Sequence, residues 1–100
     1  MKTEIIKEIK IASNGRLQVV PSKHDFSQIY RSAMEIHWDN AAHCLYAPEK
    51  MKDWSYLDWF KQILKAVNSE YGYVLSIDKE TKWSNVPNEL INKIKSLEAV

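Results

Sequence analysis

One cysteine, two glycines and three prolines are all that 100 residues hold of the residues that most alter backbone freedom or redox chemistry. The lone thiol, Cys44, cannot close an internal disulfide, which fits a reducing compartment. Two glycines leave no material for a glycine-rich phosphate loop, and Asn14-Gly15 reads as a turn instead. Charge of one sign is also missing. Fourteen basic against 13 acidic residues give a formal net charge of +1, which disfavours a dedicated nucleic-acid binder. No apolar run approaches the roughly 18 residues of a membrane span, so no membrane partner is expected. The opening Met1-Lys2-Thr3-Glu4-Ile5-Ile6-Lys7-Glu8 is charged throughout and lacks the apolar centre of a signal peptide. Together with the single cysteine, this gives the expectation of a cytoplasmic protein. Repeats, low-complexity tracts and linkers are missing, and residues 1–100 are expected to form a single domain.

What is present in surplus is aromatic: 4 Trp, 5 Tyr and 2 Phe. The remaining apolar residues fall into readable periods. Ile5, Lys7, Ile9 and Ile11 alternate over residues 4–12, the strand period, and Leu17 and Val19 alternate over 16–20. A two-residue loop between them would mix faces. A three-residue loop over 13–15 sets Ile11 opposite Leu17 and Ile9 opposite Val19. The pattern therefore predicts a type I turn with Gly15 in the left-handed conformation that glycine reaches without steric cost. Pro21 ends the second strand. Ser22 reads as an N-cap with Asp25 three residues on, and Phe26, Ile29, Tyr30 and Ala33 recur at helical spacing, predicting a helix over 23–33. Met34, Ile36 and Trp38 alternate, predicting a strand over 34–38, a turn at Asp39-Asn40 and a returning strand over 43–47.

The strongest helix covers 54–70, with Leu57, Phe60, Leu64, Val67 and Tyr71 in one stripe. Asp53 or Ser55 is its N-cap; Ser55 would let Trp54 and Trp59 staple the first turn, and Gly72 suits the position just past the end. A strand over 73–77, a turn at Asp78-Lys79-Glu80 and a short strand over 81–83 follow. Pro87 opens a terminal helix carrying Leu90, Ile91, Ile94 and Leu97. The order β-β-α-β-β-α-β-(β)-α predicts an α+β fold, a mainly antiparallel sheet built from hairpins with two to three helices on one face.

His37, Asp39, His43 and Cys44 are the one cluster of potential metal or acid–base groups. A three-residue hairpin loop sets His37 opposite His43 with Cβ atoms about 5 Å apart, whereas a two-residue loop sets it opposite Cys44. The first geometry suits a proton-transfer pair or a partial zinc site, with Glu35 on the strand face of His37. Two or three ligands fall short of a closed zinc site. The plainer alternative is a pair of edge histidines beside a buried, inert cysteine. Glu35, His37 and His43 are thus the candidate catalytic residues of an enzyme reading. No metal or cofactor motif accompanies them, and Ser13, Ser22 and Ser27 lie in no nucleophile-elbow pattern.

The indoles carry more. Trp38, Trp54, Trp59 and Trp83 fall at a strand, a helix start, the edge of a helix stripe and a strand end. A small core has difficulty enclosing four indoles while giving each N–H a partner. These four, with Tyr46 and Tyr56 as polar-tipped neighbours, are the candidate binding residues; the alternative is that they plug the core. Lys50, Lys52, Lys61 and Lys65 interleave with Trp54 and Trp59 as a small basic–aromatic surface, diluted by Glu49, Asp53 and Asp58.

The runs Trp54-Ser55-Tyr56-Leu57-Asp58-Trp59-Phe60, Glu70-Tyr71-Gly72 and Thr81-Lys82-Trp83-Ser84-Asn85-Val86-Pro87 resemble a small bacterial family encoded by mobile integron gene cassettes, over most of the chain from about Tyr30 to Ile94. The resemblance implies a compact, oligomeric α+β protein of a largely uncharacterised class and supplies no active-site residues. The leading expectation is a non-enzymatic binding protein that forms a homo-oligomer through its aromatic surface, with a further protein or small molecule as partner. The alternatives are an enzyme centred on Glu35, His37 and His43, and a toxin-neutralising, immunity-like protein.

Overall fold

A computed structural model describes residues 2–32, 34–48 and 54–98. Its first two strands, β1 (Lys2–Ile11) and β2 (Leu17–Pro21), form an antiparallel hairpin with Ile11 opposite Leu17 and Ile9 opposite Val19, the register of the three-residue loop. The Gly15 N–H donates to the Ala12 carbonyl at 2.8 Å, and Gly15 sits at φ +83°. Farther from the turn the register slips. Ile6 faces Pro21 but Glu8 faces Val20, so Lys7 is the extra residue of a β-bulge. The bulge inverts the alternation: Ile6 rather than Ile5 shares the core with Ile9, and Glu4 turns inward beside it.

The chain continues as β3 (His37–Asp39), β4 (Cys44–Tyr46), α1 (Tyr56–Tyr71), β5 (Tyr73–Ser76), β6 (Lys82–Ser84) and α2 (Asn88–Glu98). The sheet order is β3-β4-β2-β1-β5, with β6 also paired to β1. The pairs β1–β2, β2–β4 and β3–β4 are antiparallel; β5 and β6 run parallel to β1 along residues 2–5 and 8–10. Phe60, Ile63 and Val67 of α1 and Ile94 of α2 join Ile6, Ile9, Leu17, Val19 and Leu45 in one buried cluster, so both helices lie on that sheet face. This is the expected α+β architecture. The buried Thr81 hydroxyl spans the gap between β5 and β6, donating to the Ile6 carbonyl at 2.7 Å and accepting from the Asp78 N–H at 3.0 Å.

Helix α1 begins and ends where its sequence signals stand. The Ser55 hydroxyl accepts the Asp58 N–H at 3.1 Å and the Asp58 carboxylate accepts the Ser55 N–H at 3.0 Å, a complete capping box. Trp54 lies on Trp59 with ring centroids 4.5 Å apart. Gly72 takes φ +72° and its N–H donates to the Asn68 carbonyl at 2.9 Å. The Ser55 N–H, and after it the Ser55 hydroxyl, hold the Asp58 carboxyl below its ordinary pKa. Because the folded value is the lower one, this contribution is complete above the ordinary carboxylate range and is lost as pH falls through the lowered folded value. Ser55→Ala is expected to cost about 1 kcal/mol at neutral pH, and the gap from wild type should narrow in acid. Urea unfolding at the two pH values measures both; equal gaps would mean that the Ser55 hydroxyl acts only as acceptor of the Asp58 N–H and not on the carboxylate.

Three expectations are corrected. No helix spans 23–33; a 3-10 turn at Ile29–Ser32 is the regular structure there. Ser22 directs both its N–H and its hydroxyl to the Ile5 carbonyl, at 3.0 and 2.7 Å, and the N–H groups of Lys23 and His24 go to Glu4 Oε2. Donors that would start a helix are taken by the neighbouring strand, and Phe26 and Ile29 enter the core as separate plugs. The strand expected over 34–38 begins only at His37, because Glu35 sits at φ +65°, outside extended geometry. The returning strand is Cys44–Tyr46, shorter than 43–47. Ala33, Glu49, Lys50, Lys52 and Asp53 lie outside the described residues, and with them the alternative N-cap and half of the basic–aromatic surface. No described helix is long and apolar enough to cross a membrane.

Candidate functional site

His37 does not face His43. Its cross-strand partner is Tyr46, and Trp38 and Asp39 face Leu45 and Cys44, leaving a four-residue loop over 40–43. The Asp39 carboxylate builds this longer turn by accepting the N–H groups of Ala41 and Ala42 at 3.0 and 3.1 Å. His37 stacks on Tyr46 with centroids 5.4 Å apart, while His43, at φ +52°, meets Trp38 edge-on at 4.9 Å. Glu35 is exposed. Among the described residues no three His, Cys, Asp or Glu side chains are grouped to hold a metal ion.

Cys44 is buried. Burial pushes its thiol up to about 11, the Asp39 carboxylate acts in the same sense, and Lys10 opposes them. A neutral buried thiol is neither a nucleophile nor a ready ligand. Because the folded value is the raised one, the neutral thiol carries no penalty at neutral pH, and stability falls as pH climbs through the ordinary thiol value toward the folded one. Cys44 should resist an aromatic disulfide reagent in the native protein and release one equivalent of thiolate in denaturant. Rapid native reaction would contradict its burial.

The aromatic candidates do not form one surface. Trp59 is 2% exposed, and Trp38, Trp54, Trp83 and Tyr56 are half-buried against the core. The Tyr56 hydroxyl donates to the Gly15 carbonyl at 2.9 Å. Strand β4 turns Leu45 inward, so Tyr46 stands on the opposite sheet face, near the Arg16 guanidinium.

A different set of side chains converges at the start of β1. Three segments build it. The bulge at Lys7 sets the phase that turns Glu4 inward, where only 7% of its surface remains exposed. Glu4 Oε2 accepts the N–H groups of Lys23 and His24 at 2.6 and 2.9 Å, which fixes the loop after β2. The left-handed Gly72 reverses the chain between α1 and β5, so Tyr71 and Tyr73 both reach that loop. The His24 ring lies 4.7 Å from Tyr73, 4.8 Å from Phe26 and 5.5 Å from Tyr71. The Tyr71 hydroxyl accepts the Gln28 N–H at 2.7 Å. The Lys2 ammonium stands 5.8 Å from the Tyr73 ring centroid. Lys2, Thr3, Glu4, Lys23, His24 and Tyr73 line a groove of about 510 Å³. Its lining combines a nearly buried carboxylate, two aromatic rings in contact with each other and two lysine side chains.

A family model described as Integron Cassette Protein Hfx_Cass5 matches residues 4–81. The chain belongs to this integron cassette protein family. A solved structure, the integron cassette protein Hfx_Cass5 from the mobile metagenome of the North West Arm sewage outfall, is 39% identical. The alignment covers 100% of this chain and 99% of that one, with a TM-score of 0.50. No curated protein matches. The resemblance seen in the sequence runs is therefore a family relationship. The span matched to Hfx_Cass5 includes Glu4, Lys23, His24, Tyr71 and Tyr73.

Sequence reasoning passed over this groove. Glu4 reads as one charge in a charged N-terminus, and His24 falls inside an expected helix. The signal that could have found them is the Ile5-Ile6 pair, which permits either phase of the strand; the phase with Ile6 inward puts Glu4 inward as well.

Proposed function

We propose that this Hfx_Cass5 family member is a non-enzymatic binding protein whose recognition site is the groove at the start of β1. One observation carries the reading: Glu4 is almost wholly buried, accepts the loop's Lys23 and His24 N–H groups on Oε2, and borders an open groove beside two aromatic rings. Concave sites with a few convergent polar groups on apolar walls are where small molecules bind. Glu4 is engaged by two backbone N–H groups and His24 is wedged among three rings. Groups held in this way orient a ligand better than they shuttle protons. Amide chemical shifts recorded against mixtures of small polar metabolites test the reading. Changes concentrated at Glu4, Lys23, His24 and Tyr73 support it; changes confined to the His37–His43 hairpin would transfer the site there.

Association of two copies is the second reading. Edge strand β5 leaves Val74 36% exposed, and Tyr30 within the 3-10 turn is 64% exposed. An unpartnered strand edge with apolar side chains is a route to dimerisation. Light scattering should then give at least twice 11.7 kDa; a monomer at high micromolar concentration would rule it out.

A further inference from the structure

We infer that the groove takes a small zwitterion, a molecule with an ammonium and an anionic group on an apolar body. This rests on the groove being the recognition site. Glu4 is 7% exposed and both of its hydrogen bonds fall on Oε2, from Lys23 and His24. Oε1 receives no hydrogen bond from a described residue, yet Glu4 borders the groove. Oε1 is thus the carboxylate oxygen left to an occupant of the groove, and a charged donor suits it because ion-assisted hydrogen bonds are the strong ones. An ammonium supplies that donor.

The rim selects the other half. Lys2 and Lys23 line the same groove, and Lys2 stands over Tyr73. A simple amine entering toward Glu4 passes two like charges; a simple acid drawn to the lysines meets the Glu4 charge below them. A zwitterion meets an opposite charge at each end, and its apolar body lies against Tyr73 and His24. The groove volume of about 510 Å³ accommodates a molecule of amino-acid size.

Calorimetric titration with L-phenylalanine, phenethylamine and 3-phenylpropionate separates the parts. L-Phenylalanine should bind at least tenfold tighter than either half-molecule. Glu4→Gln keeps an acceptor for the Lys23 and His24 N–H groups but removes the charge, and should reduce L-phenylalanine to the affinity of 3-phenylpropionate. The surface double variant Lys2→Ala/Lys23→Ala should reduce it to that of phenethylamine. A half-molecule binding as tightly as L-phenylalanine, with shifts at His24 and Tyr73, overturns the zwitterion and leaves the groove as the binding site. So does failure of all three when other compounds shift those amides. If no compound shifts them, the site itself falls as well.

Discussion

Phe26→Ala is expected to destabilise the protein by about 3–5 kcal/mol, the usual cost of emptying a buried phenylalanine site. The Phe26 ring is fully buried and lies within 6.1 Å, centroid to centroid, of His24, Trp38, Tyr71 and Tyr73. These rings come from a loop, an edge strand, a helix end and another strand. Phe26 is what they share, so neighbouring groups have no simple way to close the hole. For a domain of this size each kcal/mol moves the unfolding midpoint by about 4–8 °C, so a loss of at least ~12 °C should be seen by circular dichroism. Asp25→Ala provides the contrast. Asp25 is exposed, and the expected change is within about 0.5 kcal/mol. In a helix over 23–33 it would instead sit in the first turn and matter more. A Phe26→Ala loss below about 1 kcal/mol would mean that the ring cluster contributes little to the fold.

Glu4→Leu is the second large effect, about 2–4 kcal/mol. It removes the common acceptor of two partly buried N–H groups, at Lys23 and His24, and bonds to charged groups are each worth about 1.5–3 kcal/mol without adding fully. Leucine fills the space but leaves both donors without a partner. Glu4→Gln retains a side-chain oxygen and should cost about half as much or less. Hydrogen exchange at the Lys23 and His24 amides reports the event directly, since both should exchange faster in Glu4→Leu and stay protected in Glu4→Gln. Urea midpoints give the energies. Equal protection in both variants would show that the loop is held by the Ser22 bonds to the Ile5 carbonyl instead.

The two residues also mark where reading the chain succeeds and where it stops. The Ile9–Val19 register, the left-handed Gly15, the Ser55 capping box, the Trp54–Trp59 contact and the Gly72 terminus are each set within a few neighbouring residues. Local backbone chemistry decides them, and a sequence displays local chemistry openly. The short strand near Trp83 and the terminal helix stripe through Leu90 and Ile94 follow for the same reason. The segment after Pro21 differs. Its helical spacing is genuine, but Glu4, some twenty residues upstream, takes the N–H groups a first helical turn would leave free. The four-residue hairpin loop likewise depends on the Asp39 carboxylate turning back on Ala41 and Ala42, which separates His37 from His43.

From the sequence alone come the α+β class, the first hairpin, the main and terminal helices with the caps of the former, and the family runs it shares with Hfx_Cass5 proteins. These rest on composition, on periods of two and 3.6, and on contacts between near neighbours. Only the tertiary structure decides which phase of β1 faces inward, because Ile5 and Ile6 are equally apolar and one bulged residue, Lys7, selects between them. That choice buries Glu4. With Gly72 bringing Tyr71 and Tyr73 back to His24, it gathers Glu4, His24 and Tyr73, distant in sequence, into one groove.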